Sequence, residues 1–97
     1  MMEERDYLII LYDFYLELLT DKQKEFFEYY YFNNLSLGEI SENVGLSRNA
    51  IHKNIKNIED KLYFYEDKLG LYKKREELFN IIKDLDDDIK NKIEKLY

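Results

Sequence analysis

Between Ile51 and Leu69 the apolar residues Ile51, Ile55, Ile58, Leu62, Tyr65 and Leu69 follow one another at intervals of 4, 3, 4, 3 and 4. An α-helix returns a side chain to the same face at that rhythm. Ser47 ahead of the stripe is suited to an N-cap, and Gly70 behind it to a left-handed C-terminal cap. The spacing predicts one helix of about 22 residues, roughly 33 Å long at about 1.5 Å per residue. A compact three-helix domain cannot cover a stripe of that length. The surplus needs another surface, either C-terminal helices or a second subunit, and a homodimer is the expected outcome. Proline is absent and only Gly38, Gly45 and Gly70 are glycine. So few breakers point to an all-α fold.

The other helices follow from periodicity and capping signals. Leu8, Leu11, Tyr15 and Leu18 mark one face of a first helix over Glu4 to Leu19. Thr20 and Gln23 form a capping box that opens a second helix, about Asp21 to Phe32, and Asn33-Asn34 is a suitable stop. Ser36 and Glu39 form another box, opening a short third helix through about Asn43. Beyond Gly70 a last helical region shows a face of Leu78, Ile82, Leu85, Ile89, Ile93 and Leu96. The run "DLDDD" is a candidate break that would divide it in two. The 97 residues suit a single domain over 1–97. A helical bundle is expected over 1–70 and a C-terminal helical extension over 71–97.

The stretch "LSLGEISENVGLSRNAIHKNIKNIEDKL", Leu35 to Leu62, meets the demands of a helix-turn-helix, placed at 36–62. Such a motif needs a small residue where the helices cross, a turn residue with positive φ, and apolar residues flanking the turn. Ser41, Gly45 and the set Ile40, Val44, Leu46 and Ile51 fill these roles. The helix after the turn then offers Arg48, Asn49, His52, Lys53 and Lys56. Asn suits adenine edges, Arg suits guanine, and Lys neutralises phosphate. Ser47 and the free N–H groups at the helix start suit a phosphate.

The net charge is −6, but the acidity is segregated. Residues 1–46 carry 3 basic and 10 acidic side chains, a balance of −7. Residues 47–75 carry 8 basic and 4 acidic, +4, and residues 76–97 carry 4 basic and 7 acidic, −3. Phosphate binding depends on local charge, whereas an acidic remainder weakens long-range attraction to a polyanion. Any nucleic-acid affinity is therefore expected to be modest and strongly salt-sensitive.

Other chemistries find little support. Cysteine is absent, which removes disulfides and thiolate metal sites. His52 is the only histidine, so no Ser-His-acid arrangement is evident, and the glycines stand singly rather than in a phosphate loop. Asp84, Asp86 and Asp88 have the first spacings of a calcium loop, but Ile89 and Lys95 stand where Gly and Glu are required. Tyr29, Tyr30 and Tyr31 are expected in core and rim packing rather than stacked on bases. No enzyme, catalytic residue, cofactor, metal or small-molecule substrate is expected. No apolar run is long enough to span a membrane and no signal peptide is evident, which leads to the expectation of a cytoplasmic protein.

Tyr12 to Arg75, about two thirds of the chain, resembles the YlxM family of small bacterial helix-turn-helix proteins (UPF0122). The most specific pieces are "LLTDKQ", "LSLGEI", "GLSRNAIH" and "YEDKLGLY". The resemblance implies a fold like region 4 of sigma factors, without a wing, in which Leu37 to Val44 is the supporting helix and Arg48 opens a long recognition helix. It implies DNA as a partner. Because genes of the family lie beside those of the signal recognition particle GTPase and its receptor, it also implies a regulatory part in that pathway. His52 and Asn49 stand where many relatives carry Tyr and Gln, which bears on target preference. The alternative is a protein or ribonucleoprotein interaction module, accessory to the signal recognition particle, that keeps the fold without specific DNA binding.

Overall fold

The computed structural model describes residues 2–97. Its regular elements are six α-helices: α1 (Glu4–Tyr15), α2 (Asp21–Tyr31), α3 (Leu37–Val44), α4 (Arg48–Leu69), α5 (Leu71–Ile82) and α6 (Asp87–Glu94). A 3₁₀ turn over Leu16–Leu18 follows α1.

The organising element is α4, against which α1, α2 and α3 all pack. Ile51, Ile55, Ile58 and Leu62 are buried along it, facing Leu8, Leu11, Tyr12 and Tyr15 of α1 and Phe26, Phe27 and Tyr31 of α2. Tyr12 stacks on Phe27 at 4.2 Å and Phe27 on Tyr31 at 4.3 Å. These contacts use the flat faces of one ring from α1 and two from α2. Arg5 ties the start of α1 to the end of α2: its guanidinium donates to the Tyr31 carbonyl at 2.5 Å and to Asn34 Oδ1 at 2.7 Å.

Both expected capping boxes are present. Gln23 N–H donates to Thr20 Oγ1 at 3.1 Å while Thr20 N–H donates to Gln23 Oε1 at 2.9 Å. Ser36 and Glu39 repeat the pattern at 3.1 and 2.9 Å. Asn34, past the end of α2, takes a left-handed φ of 55°, as its short polar side chain allows.

Three expectations are corrected. The first helix stops at Tyr15 instead of Leu19. The tighter 3₁₀ turn, closed by Leu19 N–H on the Leu16 carbonyl, shifts the phase. Leu18 therefore points outward, 52% exposed, and Leu19 is buried in its place. Leu46, expected to point inward, is 42% exposed; Ile40 and Ile51 close the core beneath the turn and Val44 is half-buried. On the C-terminal face, Leu85, Ile89 and Leu96 are exposed and only Ile82 is buried. The chain does break within "DLDDD": Asp86 caps α6, its Oδ1 accepting from Asp88 N–H at 2.7 Å.

The α-carbon radius of gyration is 16.6 Å, against about 12.5 Å for a compact chain of this length. The excess reflects the C-terminal part. Tyr97 lies 5.8 Å from Phe79, so the chain after α6 turns back beside α5 as a hairpin. Ile82 is buried apart from the main core, which runs from Leu8 to Leu62.

Candidate nucleic-acid interface

Helix α3 ends at Gly45, whose φ of 75° is left-handed. Its N–H donates to the Ser41 carbonyl at 2.9 Å. The Ser41 hydroxyl donates to the Leu46 carbonyl, so one small side chain both permits the crossing and fastens the turn. Two residues on, Ser47 caps α4, its Oγ accepting from Ala50 N–H at 3.1 Å. The N–H groups of Arg48 and Asn49 begin the helix and have no carbonyl one turn back.

Ser47, Arg48, Asn49, His52, Lys53 and Lys56 are all solvent-exposed and lie within the first nine residues of α4 or its cap. They do not form one row. Asn49, Lys53 and Lys56 recur at four and three and make the outermost stripe. Arg48 and His52 lie on a flank. The Arg48 guanidinium runs beside α3, with Nε 3.8 Å from where a Gly38 Cβ would stand. His52 and Lys56 border a cleft of about 180 Å³ with Tyr30, Leu37, Ile55 and Glu59. Asn57, one turn beyond Lys53, is exposed on the same side and was not among the expected residues; the signal for it was the interval of four.

The two helix starts in this motif differ electrostatically. Glu39 occupies the first turn of α3, and hydrogen bonds from Ser36, its backbone N–H foremost, hold the Glu39 carboxyl below the usual range. That helix end already faces a negative charge. The first turn of α4 holds no acidic residue, so its partial positive charge is available to an anion.

The basic segment 47–75 is continuous in sequence but divided in space. Arg48, Lys53 and Lys56 stand in the first part of α4, Glu59, Asp60, Glu66 and Asp67 outweigh Lys61 and Lys68 beyond them, and Lys73, Lys74 and Arg75 lie past its end, about 33 Å from Arg48 along the axis. Arg75 is also folded under, its guanidinium 4.8 Å from the Phe14 ring and 5.3 Å from Tyr72. Lys56 pairs with Asp60 at 3.3 Å, both well exposed.

Comparison with known proteins agrees with this architecture. Residues 2–97 match the UPF0122 family, described as "Putative helix-turn-helix protein, YlxM / p13 like". A UPF0122 protein of Caldanaerobacter subterraneus subsp. tengcongensis is 54% identical over 76 residues, 78% of this chain and 65% of that protein, so the match spans just under two thirds of that relative. One from Thermoanaerobacter sp. strain X514 is 49% identical over 88 residues, 91% of this chain and 72% of its own. One from Listeria innocua is 42% identical over 106 aligned positions, 99% of this chain and 96% of its own. The all-helical fold, the Gly45 turn and a family match across residues 2–97 lead to one conclusion: the chain belongs to the UPF0122 family of YlxM / p13-like helix-turn-helix proteins.

Proposed function

We propose that this protein is a DNA-binding regulator that reads duplex DNA with the first turns of α4. The observation that carries the reading is the carboxylate-free start of that helix, with Arg48, Asn49, His52, Lys53 and Lys56 exposed around it on a rigid, capped turn. In this reading Arg48, Asn49, His52 and Lys53 lie near base edges, and Ser47 and Lys56 near phosphates. Ser47 Oγ already accepts from Ala50, so Ser47 contributes its hydroxyl proton. Lys56 exchanges its solvent-exposed partner Asp60 for a phosphate, at a cost below about 1 kcal/mol for such a pair.

Arg48→Ala is expected to cost about 1–3 kcal/mol on a preferred site and to relax its sequence preference. Lys56→Ala is expected to weaken binding evenly across sequences and lower the salt slope by about one. The test is selection of genomic fragments at low and physiological salt, followed by titration of both variants after their thermal stability has been checked.

A part in the signal recognition particle pathway follows from the family resemblance. The competing reading is an interaction module accessory to that particle without specific DNA binding. The acidic remainder of the molecule, −7 over residues 1–46, favours it. Capture of a signal recognition particle component, with no fragment enriched at either salt, would replace the DNA reading with this one.

A further inference from the structure

We propose that a second copy of this chain covers the apolar face of the α5–α6 hairpin, with the two hairpins antiparallel about a two-fold axis. The 4-3-4-3-4 spacing places the surplus apolar surface on the α4 stripe, but α1, α2 and α3 bury Ile51 to Leu62 within one chain. Leu69, the last residue of the stripe, and Phe64 ahead of it stay exposed, and the rest of the uncovered surface lies further on. Ile81 is 74% exposed and Leu96 80%, with Leu85 and Ile89 about half exposed between them. These residues lie past the start of the hairpin, which packs on α1 and α4 through Tyr72 and Arg75, in a molecule 53 Å long.

The hairpin's charge selects the occupant. Its start carries Lys73, Lys74 and Arg75 with Glu76 and Glu77, a balance of +1, and its turn carries Lys83, Asp84, Asp86, Asp87 and Asp88, a balance of −3; Lys73, Lys74, Asp84, Asp86 and Asp87 are all exposed. Among the described residues no ion pair engages Lys73, Lys74, Asp84 or Asp87. The 12 residues of α5 separate the two ends, about 18 Å. That separation is identical in every copy. Two antiparallel hairpins therefore set each lysine pair against the other copy's acidic turn, with Ile81 and its apolar neighbours between. A parallel pairing would oppose like charges at both ends. An interface that is its own complement about a two-fold axis is the isologous arrangement of a closed dimer.

The experiment is analytical ultracentrifugation of the full chain from nanomolar to millimolar concentration. The wild type is expected to dimerise. Ile81→Asp with Ile89→Asp is expected to be monomeric with unchanged helical circular dichroism. Lys73→Glu with Lys74→Glu, which touches no buried residue, is expected to weaken self-association by about tenfold or more. Mixing that variant with Asp84→Lys/Asp87→Lys is expected to restore a mixed dimer. A wild type that stays monomeric throughout, a double Ile variant that associates like the wild type, or charge-reversed copies that fail to pair would each overturn the proposal.

Discussion

Tyrosine hydroxyls meeting glutamate carboxylates recur through this molecule. Tyr12 donates to Glu28, Tyr15 to Glu66, Tyr31 to Glu59 and Tyr63 to Glu4, each joining two elements distant in sequence. The phenol ring enters the core while its polar tip is satisfied at the rim, and these four glutamates thereby serve as hydrogen-bond acceptors. Burial foremost, then the neighbouring glutamate, raises these hydroxyls: Tyr15 and Tyr63 to about 12, and Tyr12 and Tyr31 upward for the same reasons. A folded pKa above the unfolded one means that the stabilisation is complete below pH 10 and is lost as pH rises through about 12. The midpoint of urea unfolding is therefore expected to fall steadily over that window. A flat profile would show that these hydroxyls are not held as described. Gly45 is the other position where one residue decides local structure. Nothing lies within 4 Å of the place a Cβ would take, and φ is +75°. A Cβ at this position thus meets no clash, and the cost of Gly45→Val is backbone strain of about 1–3 kcal/mol. A lowered melting temperature is expected, and an unchanged one would place the turn elsewhere.

Among the elements, the junction of α4 and α5 depends on a side chain that no capping pattern in the sequence announces. Gly70 both ends α4 and begins α5 with a φ of 61°, and it has no side chain to cap the second helix. Glu66, one turn back on α4, does so instead. Its carboxylate accepts from Tyr72 N–H and Lys73 N–H at 3.1 Å and from the Tyr15 hydroxyl at 2.6 Å. Tyr15 in turn accepts from Leu71 N–H at 3.1 Å. The carboxylate also opposes the positive end of α5. Glu66→Ala is expected to lose about 0.5–2 kcal/mol, the range for a lost cap. Amide exchange should quicken first at Tyr72 and Lys73, and Glu66→Gln should recover part of the loss. Unchanged exchange at those amides would argue against the capping role.

At the scale of the whole molecule, charge and apolar surface are sorted to different ends. The α4 start is basic and free of carboxylates, the body around α1 and α2 is acidic, and the C-terminal hairpin exposes Ile81, Leu85, Ile89 and Leu96 among charged residues, with an acidic turn. Leu62 is wholly buried within one chain. A charge there disrupts folding, so it cannot report on self-association. Ile81 is free to do so.

Much of this was written in local sequence. The 4-3-4-3-4 interval, the two capping boxes and Gly45 with Gly70 determined where α2, α3 and α4 begin and end, because periodicity and caps are properties of a few neighbouring residues. The outward placement of Arg48, Asn49, His52, Lys53 and Lys56 followed from the same periodicity. Tertiary structure decided the rest. It chose Leu19 over Leu18 through a 3₁₀ turn, and it exposed Leu46. It split one basic segment into two patches by running a long helix between them. It also folded Arg75 beneath aromatic rings from α1 and α5 and recruited Glu66 as a distant cap. Each of these outcomes depends on residues brought together from separate helices, and intervals within a single helix carry no record of such neighbours.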